Sequence, residues 1–175
     1  MKDFRRHYWD SGVFCSFLSK EEDRYEVVND LLNEAYAGRV EIITSSFALV
    51  EVLKLKGHEN ITEKAQGQLT EFFEYPFIKI VNADREVCEL ARSYVWKHGM
   101  KSKDAVHMAT AEVAGRVIDI HGIFSWDGDF VNLNGKPGIR HPISHPFMAQ
   151  PLLRLGAGGD EPDEDAEENS APTES

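Results

Sequence analysis

The chain has 175 residues, of which 42% are hydrophobic, and these include 10 Phe and 3 Trp. Such a composition can fill the core of one domain, and it excludes a collagen-like or wholly disordered chain. The 19 basic and 30 acidic residues give a formal net charge of −11, which argues against a domain that binds nucleic acid mainly through bulk positive charge.

Strands and helices alternate along most of the chain. Apolar periodicity, β-branched runs and Gly or Pro stops predict these elements: strand 5–9, helix 11–19, helix 20–37, strand 40–44, helix 45–56, helix 61–75, strand 77–81, helix 85–98, helix 103–115, strand 120–126 and a weak strand 138–143. Ser11 and Asp84 are the expected N-caps of the helices that follow them. This alternation predicts an α/β fold with a mainly parallel sheet covered by helices on both faces.

The C-terminal part of the chain differs from the rest. Residues 156–175 contain eight acids and no base, which leaves a net charge of only −3 for residues 1–155. This acidic segment lacks aromatic and β-branched apolar residues, so we predict a disordered tail. We therefore divide the chain into a folded domain over 1–143, an extension over 144–155 that packs on the domain or docks elsewhere, and the acidic tail.

The sequence carries no sign of export or of a membrane span. The first ten residues lack the apolar core of a signal peptide, and no run approaches the roughly 18 apolar residues that cross a bilayer. Cys15 and Cys88 both lie in helical patterns without metal-ligand spacing, which favours buried free thiols. We expect a soluble, cytoplasmic protein that has no contact with membranes.

Four acids occupy positions where a site can form. Asp10 and Asp127 each follow a predicted strand, Asp104 begins a helix, and Glu51 lies in an otherwise apolar helix. Ligands of open parallel sheets gather at the carboxyl ends of the strands. Four carboxylates at one edge suit Mg²⁺ or Mn²⁺, which would relieve their mutual repulsion and promote phosphodiester hydrolysis.

Each acid also has an ordinary structural explanation. Asp104 is a favourable residue in a first helical turn, Asp127 with Gly128 forms a common turn dipeptide, Glu51 is compatible with a solvated helix face, and Asp10 with a cap after a strand. For His107 and Trp126 we expect packing rather than contact with a substrate. The case for a site depends on the four acids together.

The segments around these acids resemble the PIN-domain ribonucleases, of the VapC-type toxin group or a close stand-alone relative. The resemblance covers roughly residues 6–133 in the family's order, and the matching segments are YWDSGVF, TSSFALVEV, KSKDAVHMATA and FSWDGDF. It implies a flavodoxin-like, three-layer fold with strand order 3-2-1-4-5. It also implies cleavage of single-stranded RNA with Mg²⁺ or Mn²⁺, giving 5′-phosphate and 3′-hydroxyl ends.

Carried over by position, the resemblance makes Asp10, Glu51, Asp104 and Asp127 the catalytic metal ligands. Asp129 is a weaker candidate ligand. The resemblance also assigns Ser11 and Ser125 to orienting those ligands or bound water, while its place beside Asp104 makes Lys103 a candidate contact for a substrate phosphate.

The expected protein is thus a metal-dependent endoribonuclease, with RNA as substrate, and a candidate toxin of a toxin–antitoxin pair. The resemblance also implies a small antitoxin partner and a homodimer. Two other functions remain open: a catalytically inactive PIN-fold module that binds or regulates, and a metal-dependent phosphohydrolase acting on another phosphate ester.

Overall fold

The computed structural model describes residues 4–52 and 62–149, in which helices surround a central sheet. The strands in this part of the chain are β1 Arg5–Trp9, β2 Val40–Ser45, β3 Ile78–Val81, β4 Gly122–Phe124 and β5 Ile143–Ser144. The helices are α1 Ser11–Leu18, α2 Tyr25–Tyr36, α3 Ala48–Glu51, α4 Glu63–Phe73, α5 Arg85–His98, α6 Ser102–Ala114 and α7 Gly128–Val131, and a 3₁₀ turn covers Pro146–Ala149.

The strands form one parallel sheet in the order β3-β2-β1-β4-β5. This confirms the α/β class and the order 3-2-1-4-5. The central strand β1 pairs with both neighbours, so that Tyr8 lies opposite Ile43 and Trp9 opposite Phe124. Because the strands are parallel, their carboxyl ends lie at one edge of the sheet.

An apolar core covers each face of the sheet. Side chains alternate between the faces of a strand, and Tyr8, Ile43 and Ile123 accordingly lie in the core that includes residues of α5 and α6. Trp9 and Phe124 lie in the other core, with residues of α1, α2 and α4. Both faces are therefore buried, as the alternation of strands and helices predicts.

The predicted cap of α1 is wrong by one residue. Asp10 has extended backbone angles, and its carboxylate accepts a hydrogen bond from the backbone N–H of Val13, 3.1 Å away. Ser11 is the first helical residue instead. A carboxylate and a hydroxyl are both good N-caps, so the sequence of this turn did not distinguish them. Asp84 caps α5 as expected.

Several element ends also differ from the prediction. Ser45 belongs to β2 rather than to the following helix, and α3 has four residues up to Glu51. The end of that predicted helix, residues 53–56, lies outside the described part. The helix α2 begins at Tyr25 rather than at residue 20, and the last strand is Ile143–Ser144 rather than 138–143.

The two cysteines are less buried than the sequence suggested. Cys15 is partly exposed and Cys88 is exposed, so the expectation of a buried thiol is wrong for Cys88, which faces outward on α5. Among the described helices, none is both long and apolar enough to cross a membrane. The division at residues 143 and 144 stays a prediction, and residues 150–175, with the acidic tail, lie outside the described part.

Candidate active site

One cavity at the carboxyl edge of the sheet is lined by all four predicted acids. The volume of this cavity is about 330 Å³. Asp10 follows β1, Asp127 lies beyond β4, Asp104 is in the first turn of α6 and Glu51 is the last residue of α3. Residues far apart in sequence thus meet because parallel strands end at one edge.

Asp10 is the most enclosed of these acids. Its residue is 9% exposed, and burial raises the pKa of its carboxyl group. The nearby His107 and the hydrogen bonds from Ser125 and the N–H of Val13 act in the opposite direction, while the charge of Asp104 raises the pKa further. The carboxylate is thus held in a position where the protein only partly compensates its charge.

Asp104 shares this condition. Burial raises the pKa of its carboxyl group, and the charge of Asp127 adds to the increase, although Lys103 and Lys101 oppose it. Both Asp10 and Asp104 are therefore carboxylates that a positive charge in the cavity would stabilise.

Glu51 is held by hydrogen bonds on one oxygen. Its Oε2 accepts from Ser11 Oγ at 2.7 Å and lies 2.8 Å from Nε2 of His107. Its Oε1 lies 3.7 Å from Nζ of Lys103. Burial alone would raise the pKa of this carboxyl group, but the hydrogen bonds from His107 and Ser11 outweigh it and lower the pKa.

Asp127 is the N-cap of α7 and is more open to solvent. Its Oδ1 accepts from the backbone N–H of Asp129 at 2.9 Å, and its own N–H donates to Ser125 Oγ at 3.0 Å. Nζ of Lys101 lies 3.4 Å from its Oδ2. Burial opposes the effect of these donors, yet the N–H of Asp129 and the ammonium of Lys101 lower its pKa.

Asp129 lies outside the cavity of the four acids. It lines a neighbouring cavity of 310 Å³ together with Lys101, Lys136 and Asp104. Asp104 therefore lines both cavities, and Nζ of Lys101 lies between Asp127 and Asp129, 3.5 Å from the latter. The two cavities form adjoining parts of one acidic centre with basic side chains on its rim.

Basic and aromatic side chains complete the wall of the larger cavity. Arg24 and Lys103 line it, and so does Trp126. The guanidinium carbon of Arg24 lies 4.9 Å from the centre of the Trp126 ring, whose Nε1 donates to Ser16 Oγ at 2.9 Å. Trp126 is thus partly buried, and it packs against the domain while one side borders the cavity.

Sequence reasoning underrated His107 and missed Arg24. His107 is buried, as expected from packing, but it also contacts Glu51. Its position three residues after Asp104 was the available signal, because such residues share a helix face. Arg24 precedes α2, and no local pattern marks it for the cavity.

The donor set fits a hard divalent cation. Its oxygens are carboxylates, which Mg²⁺ and Mn²⁺ prefer, and two of the carboxyl groups have raised pKa values. Within residues 4–52 and 62–149, no three His, Cys, Asp or Glu side chains stand close enough to hold one ion in their present positions. The fit is therefore one of ligand type and charge, not of coordination distances.

The comparisons with known proteins agree with this architecture. The family model described as PIN domain matches residues 8–135. The chain is similar to Mycobacterium tuberculosis VapC20, a sarcin-ricin loop cleaving toxin, with 17% identity, a TM-score of 0.54 and coverage of 71% of this chain and 92% of that one.

Two further structures show the same fold. A toxin–antitoxin complex from Klebsiella pneumoniae has 20% identity and a TM-score of 0.53, and the match covers 80% of this chain and 97% of that one. VapBC2 from Rickettsia felis, bound to a DNA fragment from its promoter, has 16% identity, a TM-score of 0.55 and coverage of 80% and 98%. No curated protein sequence matches the chain significantly.

Proposed function

The chain belongs to the PIN-domain family, and from that premise we propose that it is a metal-dependent endoribonuclease. The observation that carries the proposal is the cavity in which Asp10, Glu51, Asp104 and Asp127 meet. Four carboxylates from separate elements serve no common purpose in packing, whereas they match the ligands of a site that hydrolyses phosphodiesters.

In this proposal the four carboxylates would hold Mg²⁺ or Mn²⁺, with Asp129 as a subsidiary acid near the rim. When bound, such an ion stabilises negative charge on phosphate oxygens and makes water more acidic. Hydrolysis adds water across the P–O3′ bond and leaves a 5′-phosphate and a 3′-hydroxyl group.

The protein's own side chains then position these groups. Ser11 fixes one oxygen of Glu51 through its 2.7 Å hydrogen bond, and Ser125 fixes the backbone of Asp127. Lys103 and Arg24 border the cavity and can contact phosphate oxygens of a bound strand. A bound RNA strand would extend past Asp104 into the neighbouring cavity, which Lys101 and Lys136 line.

The substrate in this proposal is single-stranded RNA. The acidic centre repels a polyanion except where a cation and the basic rim compensate it, so binding depends on a local site rather than on bulk charge. The body of the chain has a net charge of only −3, which is compatible with such local recognition.

The proposal includes a role as the toxin of a toxin–antitoxin pair. The Klebsiella and Rickettsia structures are a toxin–antitoxin complex and VapBC2, and they support the idea that a small antitoxin binds this chain as well. Leu49 and Val50 on α3 are exposed apolar residues next to Glu51, which favours a protein partner at this edge. We also propose that the protein is cytoplasmic and forms a homodimer. Light scattering of the purified protein would measure the mass of the dimer.

Cleavage assays test the enzymatic proposal. We expect the wild-type chain to cleave RNA with Mn²⁺, and Asp10→Asn or Asp104→Asn to lower the rate at least about 100-fold while circular dichroism is unchanged. The control Asp119→Asn changes an exposed acid outside both cavities and should cleave normally.

A panel of RNA, DNA and nucleotide substrates separates the alternatives. Cleavage of small phosphate esters but not RNA would favour the other phosphohydrolase. Neither cleavage nor thermal stabilisation by Mn²⁺ would favour the inactive binding module. Full activity of Asp10→Asn in the presence of metal would refute the assignment of the site.

A further inference from the structure

A buried chain of hydrogen bonds connects the centre of the sheet to Glu51. Tyr8 lies in β1 with none of its surface exposed, and its hydroxyl oxygen is 2.8 Å from Nδ1 of His107. His107, on α6, is 2% exposed, and its Nε2 is 2.8 Å from Oε2 of Glu51. The chain thus links three elements that are remote in sequence.

The chemistry of the groups sets the direction of these bonds. The phenol of Tyr8 carries one O–H, which it can donate to Nδ1 of His107. An ionised carboxylate only accepts, so Nε2 of His107 donates to Glu51. When the ring of His107 is neutral it carries one N–H, and Nδ1 then accepts from the hydroxyl of Tyr8. The result is one tautomer of His107.

These bonds act on only one side of Glu51. Oε2 accepts hydrogen bonds from both Ser11 and His107. Among the described residues, Oε1 instead lies 3.7 Å from Nζ of Lys103. Glu51 ends the four-residue helix α3, while His107 lies within the 13-residue helix α6. A short helix constrains its last side chain weakly, so the longer helix supplies the orientation.

We propose that Tyr8 and His107 are positioning residues for Glu51, which hold Oε2 and leave Oε1 directed to the cavity for a divalent cation. The inference rests on the proposed function, because it assigns cation binding to Oε1, which Lys103 approaches to 3.7 Å. It adds two buried residues to the support of the site, of which His107 also lines the cavity of the four acids.

The first test removes one hydroxyl group from the buried chain. In the full-length protein, Tyr8→Phe should weaken Mn²⁺ binding about tenfold by calorimetry, because it removes the hydrogen bond that orients His107, and loss of an outer-shell partner typically lowers metal affinity by about 10- to 100-fold. The control Tyr94→Phe alters another buried tyrosine, on α5, and should bind Mn²⁺ as the wild type does.

The outcomes separate this inference from the proposed function. If the wild type binds Mn²⁺ and Tyr8→Phe binds it equally well, the positioning role is wrong while the cation site stands. If the wild type binds no Mn²⁺, the proposed cation site itself is wrong, and the role of Tyr8 falls with it.

A pair of amide variants tests the geometry at His107. The side chain of His107→Gln can place an N–H near the position of Nε2, whereas that of His107→Asn is too short to reach Glu51. We expect the Gln variant to bind Mn²⁺ more tightly than the Asn variant. Equal binding by two folded variants would contradict the inference.

The tautomer can be measured without any substitution. Nitrogen-15 spectra of the metal-free wild type in mildly alkaline buffer should show His107 with its proton on Nε2. A proton on Nδ1 would mean that both hydrogen bonds run in the opposite direction. This result would overturn the proposal, whether or not the protein binds a cation.

Discussion

His7 provides a test of how burial affects stability in the central strand. It is 8% exposed, and its ring stacks on Phe124 with a centroid distance of 4.6 Å. Among the described residues its Nδ1 has no hydrogen-bond partner. Burial, together with the positive charges of His121 and Arg5, lowers its pKa from 6.5 to about 4.

The sign of the pH dependence follows from this lowered pKa. The unfolded chain takes up a proton on His7 near pH 6.5, but the folded protein does so only near pH 4. The free energy of unfolding therefore falls as the pH decreases between these values. At about 1.4 kcal/mol per pH unit, His7 accounts for a loss of about 3 kcal/mol.

The substitution His7→Phe should remove this component of the pH dependence. Urea unfolding followed by tryptophan fluorescence, at several pH values between neutral and acidic, gives the free energy for each variant. His98→Phe, at the half-exposed end of α5, serves as the control and should keep the wild-type dependence. Equal acid sensitivity of the wild type and His7→Phe would refute the reasoning.

Two further predictions concern the acids. Asp10→Ala removes both the charge and the cap on the N–H of Val13, whereas Asp10→Asn retains a capping oxygen. The Ala variant should be less stable than the Asn variant by about 1 kcal/mol, a difference of roughly 3 °C in Tm by calorimetry. Equal Tm values of the two variants would contradict the capping role. Because the pKa values of Asp10 and Asp104 are raised, Mn²⁺ binding should release protons and should weaken as the pH falls. Calorimetric titrations in buffers of different ionisation enthalpy measure the number of protons released. Asp104→Asn should reduce this number.

The sequence predicted the sheet because its strands leave a strong local signal. The β-branched run in β2 and the aromatic residues of β1 mark strands that are buried on both faces. The ends of elements were less certain, since they depend on tertiary contacts. At α1 the capping bond from Val13 to Asp10 decides the boundary, and both Asp10 and Ser11 are favourable caps.

The candidate site was predictable where it follows from topology. Asp10 and Asp127 come after neighbouring parallel strands, so their meeting depends only on the fold. The link from Tyr8 to His107 spans 99 positions, and such a contact depends on how α6 packs on the sheet. Periodicity within one segment carries no information about that packing, which is why the buried chain to Glu51 was not expected.

The alternation of Tyr8 and Trp9 between the two cores limits the insertions and deletions that the protein can tolerate. Inserting or deleting one residue in β1 would exchange the faces of these side chains, because the repeat of a strand is two residues. The same shift would displace Asp10 from the cavity at the end of the strand. Changes of length compatible with activity should therefore be confined to the loops, and the five residues of β1 should have one fixed length in every functional variant.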